Sequence, residues 1–178
     1  MTVNVSGLAA AVLTDPAVAA AELDGAVGVV HTGTVRVTYS CSLPERPEPI
    51  SDEIEFGITA PLVVRRGSYI DLWTTLRTLH GTKFARPAND ITGGMGVIVG
   101  GAVSSEHTAN GLTNVEPAVI GEGVLLSGGH TRFRATEPGL YTFAPGTEVL
   151  VVNGGAEGPR TVCTLEGSPV LATQTLVV

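Results

Sequence analysis

Aromatic side chains make up only 4% of this 178-residue sequence, Lys occurs once, at Lys83, and Cys occurs twice. Each shortage excludes something. With one Lys and a formal net charge of −7, the chain has no basic surface to offer a phosphate backbone, so no nucleic-acid partner is expected. No uninterrupted apolar run approaches the ~20 residues that span a bilayer, so no membrane span is expected either. The opening stretch MTVNVSGLAAAVLTDPAVAAA lacks the basic n-region of a secretory signal, which points to a protein made inside the cell and left unprocessed. Cys41 and Cys163 are accordingly expected to be two reduced, buried thiols acting as small hydrophobes; a disulfide between them is the open alternative, with nothing in the sequence to support it.

Glycine is plentiful at 23 residues, and Val and Thr are abundant, a mixture that favours short strands and tight turns over helix bundles. At this length one domain can bury roughly 70% of its unfolded surface. Charged residues are only 15% and mean hydropathy is +0.31, which suggests an exterior partly covered by other subunits.

Two regions follow from the pattern along the chain. Residues 1–30 read as an N-terminal arm, in which Asp15, Pro16, AVAAAEL and Gly25 have the grammar of a short helix over about 16–23. Residues 31–178 read as an antiparallel β-sandwich. Val35, Val37, Tyr39, Cys41 and Leu43 alternate with polar residues, as do Ile54, Phe56 and Ile58, so both runs are half-buried strands. The segment 69–80 fits a helix by its apolar spacing and a strand by its threonines; over 69–76 the strand is favoured. Residues 82–94 read as a loop. Short strands follow in MGVIVGGAV, PAVIGEGVLLS, TRFRA, LYTF, TEVLVVN, RTVCTL and PVLATQTLVV, with Asn110-Gly111 as a hairpin turn. In RATEPGLYTFAPG, Tyr141 and Phe143 share one strand face between turns at Pro138-Gly139 and Pro145-Gly146.

Catalytic patterns are weak. His31, His80, His107 and His130 have no metal-ligand spacing, so neither a metal nor another cofactor is expected. Asp52, Glu53 and Glu55 read as a soluble outer strand face instead of paired acid–base groups. GGMGVIVGG lacks the order and the ending of a phosphate loop, and no G-x-S-x-G elbow occurs. Arg65-Arg66 and Arg132/Arg134 are the basic doublets, the latter projecting to one side of a strand opposite Phe133 and read as ordinary solvated surface. An enzyme is not expected; a cavity holding His107 or His130 beside a carboxylate would revive that reading.

The residues Phe133, Pro138, Gly139, Tyr141 and Phe143 resemble the F-x-x-x-x-P-G-x-Y-x-F element of trimeric jelly rolls of the tumour-necrosis-factor and complement type. The leaderless acidic chain, its Arg-over-Lys bias, its Gly/Thr/Val-rich strands and its Ala-rich arm resemble head-decoration or minor capsid proteins of tailed bacteriophages infecting actinobacteria. That resemblance implies a jelly-roll-like sandwich, a homo-oligomer with a trimer favoured, a major capsid protein as partner, and a place in the virion after assembly in the host cytoplasm. Leu8, Val12, Tyr141, Phe143, Leu176 and Val178 are the expected oligomer or shell contacts, with the N-terminal arm and the C-terminal strand reaching a neighbour by strand addition or arm exchange. The competing expectation is a ligand- or carbohydrate-binding module of a phage tail or cell surface, with Trp73 and Tyr69 as the pair able to stack on sugar rings.

Overall fold

The computed structural model describes residues 28–155 and 157–178. The expected helix at 16–23, with Leu8 and Val12, lies outside the described residues. What is described is all-β. Ten strands follow in order: β1 (Val30–Ser42), β2 (Ile50–Pro61), β3 (Val63–Val64), β4 (Tyr69–Thr78), β5 (Ile91–Gly101), β6 (Ser105–Thr113), β7 (Leu125–Arg134), β8 (Gly139–Asn153), β9 (Arg160–Leu165) and β10 (Thr173–Val177).

The ladder runs β8-β5-β6-β7-β4-β2-β1-β9, and β9 also pairs with β8, so eight strands close into a ring. Every pairing in the ring is antiparallel; the one parallel pairing joins β10 to the two-residue β3 at its side. Alternation decides which side of each strand faces inward. Val37, Tyr39 and Cys41 of β1 and Ile54, Phe56 and Ile58 of β2 enter the core, as their period of two requires. So do Ile70, Leu72 and Leu76, which makes 69–78 a strand. Helical spacing at 69, 72, 73 and 76 was incidental, because Tyr69 and Trp73 point out.

Tyr141 and Phe143 do share a face, and it is the inner one. Both are fully buried, and the Phe133 ring packs 6.4 Å from Tyr141 and 6.2 Å from Phe143, between centroids. The Tyr141 hydroxyl accepts the Glu137 N–H at 3.1 Å, which ties down the Pro138-Gly139 corner. Burying such a side chain contributes about 1.5–3 kcal/mol. On β1, two strands away from β8 around the ring, Tyr39 is also fully buried, and its hydroxyl donates to the Gly146 carbonyl at 2.6 Å. Burial pushes that phenol well above its ordinary pKa, and the nearby Glu106 charge adds to the effect.

Several turn expectations are corrected. Asn110-Gly111 lies inside β6: Gly93 faces Leu112 while Gly94 faces Asn110, so Gly111, at φ 91°, is the extra residue of a bulge. Pro145-Gly146 lies inside β8, where the register against β5 shifts between Met95 and Val97. TRFRA is not a separate strand, since Gly128, at φ 85°, lets the chain bulge and continue from Leu125 to Arg134. Conversely, the first part of PAVIGEGVLLS is a loop up to the start of β7, and the supposed loop 82–94 ends early, because Ile91 already pairs with Asn153 in β5. A glycine at positive φ serves a bulge as readily as a hairpin, and the dipeptide alone does not distinguish them.

The cysteines are also corrected. Cys41 of β1 and Cys163 of β9 stand directly opposite one another and form a disulfide across 122 positions of sequence. Their reduced state had been inferred from a compartment, whereas register brings the two side chains face to face. Closing so long a loop stabilises a fold by about 3–5 kcal/mol in the chain-entropy account. Cys41→Ala/Cys163→Ala is therefore expected to lower Tm by on the order of 10 °C, since a kcal/mol moves Tm by about 2–4 °C at this size. Scanning calorimetry checks the shift, and alkylation in denaturant, with and without prior reduction, checks the bond itself.

Candidate functional site

The outer face of β4 alternates Tyr69, Asp71, Trp73, Thr75 and Arg77, the residues left over once Ile70, Leu72, Thr74 and Leu76 fill the core. Register against β7 then sets Arg134 opposite Tyr69, Arg132 opposite Asp71 and His130 opposite Trp73. Residues about sixty positions apart in sequence thus become lateral neighbours. The bulge at Gly128 ends just before His130, and Gly129 must lack a side chain because a Cβ there would collide with Thr74 Oγ1 and the Leu112 side chain.

Asp71 is the hub of this face. His130 Nε2 donates to its Oδ1 at 3.0 Å, and Arg132 Nε stands 3.2 Å from the same oxygen. The Arg132 guanidinium also lies over the Tyr69 ring, 4.5 Å from the centroid, a cation–π placement. The Trp73 and His130 rings are 4.3 Å apart with a 35° tilt. One side of each aromatic is therefore held by a cationic or imidazole neighbour, yet Tyr69 remains 55% and Trp73 53% exposed. Beyond Trp73, Thr59 of β2 follows in the same row, its hydroxyl 2.6 Å from that of Thr32 on β1. A groove of about 320 Å³ runs along this row between Tyr69, Asp71 and Trp73 on one side and Val30, Pro61 and Val63 on the other.

A larger concavity, about 680 Å³, lies over β5, β6 and β8 and is floored by glycines. Those glycines answer to strand packing. A Cβ on Gly96 would strike Glu106 Oε1, and one on Gly93 would strike the Leu150 carbonyl. Glu106 itself is committed, accepting from Thr147 N at 2.7 Å and Thr147 Oγ1 at 2.9 Å.

The other sequence candidates are dispersed. His31 bonds Thr173, His80 meets Asp52 at 2.6 Å, and His107 stacks 4.5 Å from Phe133. Glu55 pairs with Arg36 at 3.0 Å, while Arg134 donates to the Gly67 carbonyl. Among the described residues no cluster of His, Cys, Asp and Glu is placed to hold a metal ion. Of the expected contact residues, Tyr141 and Phe143 are enclosed by the chain's own core, Leu176 is half-buried and Val178 is exposed. The end of the C-terminal strand already has backbone partners within the chain. β10 is paired with β8 on one side and β3 on the other, and Val178 N and O are bonded to Val64 and Arg66.

A second exposed feature had no sequence signal beyond hydrophobicity. Segments 82–86 and 118–122 run as an antiparallel ribbon, joined by hydrogen bonds between Thr82 and Glu122 and between Arg86 and Ala118. That register sets Phe84 across from Ile120, with Val119 adjacent, and all three are more than half exposed.

No protein-family model matches the chain, and no curated protein matches its sequence. The geometry therefore carries the functional reading. Asp71→Asn should change stability by no more than about 1 kcal/mol, because the ion pair is half-exposed. It should still displace the His130 and Trp73 ring resonances in an NMR spectrum, since Asp71 orients the row. A large loss of Tm with unmoved ring resonances would contradict that role.

Proposed function

We propose that the chain is a non-enzymatic structural subunit of a phage virion, decorating and reinforcing the shell through oligomeric contacts, with a trimer as its own assembly and the major capsid protein as its partner. The observation that carries this reading is the ribbon of 82–86 and 118–122, which projects Phe84, Val119 and Ile120 into solvent instead of into a core. Phe84 and Ile120 stand across from one another on the ribbon, and exposed apolar side chains grouped in this way mark a contact between proteins. The disulfide supports the same reading, because a cross-strand Cys41–Cys163 bond suits a protein that persists at an oxidising particle surface.

Each large apolar side chain buried at a contact contributes about 1.5–3 kcal/mol, so Phe84→Asp/Ile120→Asp should weaken subunit or shell association by at least ~100-fold. Thermal unfolding of the variant should stay close to that of the parent, because neither residue belongs to the core. Native mass spectrometry and co-sedimentation with purified phage shells check both parts. A parent protein that is monomeric and ignores every shell tested would overturn the assignment.

A further inference from the structure

We infer that the outer face of β4 and β7 is a binding site for a neutral oligosaccharide, with Trp73 and Tyr69 as stacking platforms and Asp71 and Arg132 as the hydrogen-bonding centre. The inference does not depend on how the chain assembles.

Four observations lead to it. The first is where the scarce aromatics are placed. Tyr39, Phe56, Tyr141 and Phe143 are fully buried, whereas the chain's one Trp and Tyr69 are spent on the surface. An exposed ring forgoes about 1.5–3 kcal/mol of burial, which makes a matched pair on one strand face informative. The second is their spacing. Tyr69 and Trp73 are four residues apart on a strand, about 13 Å, which exceeds a single pyranose ring. A chain of sugars would therefore bridge the platforms where a monosaccharide would not.

The third is the chemistry between them. Sugars present apolar C–H faces and rims of paired hydroxyls. The rings supply flat surfaces for the former. For the latter, the Asp71 carboxylate and Arg132 guanidinium offer acceptor and donor side by side. His130 and Arg132 both engage Oδ1, so the other carboxylate oxygen retains its lone pairs for hydroxyl donors. Between the two platforms Asp71 is offset by Arg132, while Arg134 at the Tyr69 end is turned to the Gly67 carbonyl, so the stretch a sugar would cross carries one charge of each sign and suits a neutral ligand. The fourth is pre-organisation. Arg132 is held over Tyr69, and His130 is held against Trp73, so binding orders few side chains. The adjoining groove gives the sugar a second, mostly apolar wall in Val30, Pro61 and Val63, as ligand sites usually have.

Because Trp73 is the only tryptophan, its fluorescence reports this face and nothing else. The full chain is titrated with maltohexaose, cellohexaose, mannohexaose and chitohexaose, following Trp emission and, independently, heat. At least one is expected to produce a saturable change in both. Trp73→Ala should then weaken the calorimetric affinity about tenfold or more, and Arg132→Gln by several-fold, with Tm unchanged in each. The inference is overturned if no probe binds, or if binding persists undiminished in both variants. It is equally overturned if Trp73→Ala instead changes the native mass of the assembly, which would make this face a subunit contact. Failure of the shell-association test above leaves all of these readings intact.

Discussion

Closure of the hydrogen-bond ladder at β9 is the constraint from which the rest of the molecule follows. β9 is short, yet it pairs with β1 on one side and with the second half of β8 on the other. Without it the ladder would end at β1 and at β8, exposing two rows of unpaired backbone groups. With it, each ring strand has an inner side, which must be apolar, and an outer side, which is free to carry chemistry. The disulfide sits at this junction. Cys41 lies opposite Cys163, and Cys163 lies opposite Val149 of β8, so the covalent link pins the strand that shuts the ring.

A ring of eight strands must bend, and the bends are where sequence and structure part company. Gly111 and Gly128 face each other across β6 and β7, each at positive φ, each with its Cβ position 3.3 Å from the other's carbonyl oxygen. Gly146 bends β8 so that its first half pairs with β10 and its second with β9. That bend is also where the Tyr39 hydroxyl, from β1 on the far side of β9, bonds the Gly146 carbonyl. The glycine richness legible in the composition is thus real, but much of it sits inside strands. A dipeptide such as Asn-Gly announces φ > 0 without saying whether the chain will reverse or merely swell, because the partner strand decides.

The alternation in TVRVTYSCSL and ISDEIEFGI was sufficient to place Val37, Tyr39, Ile54 and Phe56 in the core, since a period of two has one burial solution once a face is chosen. The same logic identified Tyr141 and Phe143 as neighbours on one face. What it could not supply was register between distant strands. Asp71 with His130 and Arg132, Cys41 with Cys163, and Phe84 with Ile120 are all juxtapositions of segments tens of residues apart. Each depends on which strands lie side by side, and local pattern carries no information about that. The histidines illustrate the point. Four scattered residues showed no ligand spacing in sequence, and among the described residues only His130 acquired both a carboxylate and an aromatic partner, outside the lining of the groove beside it.

The two exposed features lie toward opposite ends of one strand pair, and that arrangement bears on how they would work together. The β4–β7 ladder begins at Tyr69 opposite Arg134 and runs to Arg77 opposite Leu125; the apolar ribbon continues beyond that second end. Five residues separate Trp73 from Thr78, about 17 Å at strand rise, before the ribbon starts. A subunit gripped at Phe84 and Ile120 would therefore hold its Tyr69–Trp73 row away from the contact, turned to solvent on a rigid wall. Because the row's side chains hang on paired strands and not on loops, anchoring at one end would neither cover nor loosen it. Anchoring copies side by side would multiply a weak sugar contact into a strong one, since tethered sites rebind at high effective concentration. On this geometry, a shallow platform with modest affinity per copy is sufficient, and a deep pocket would add little.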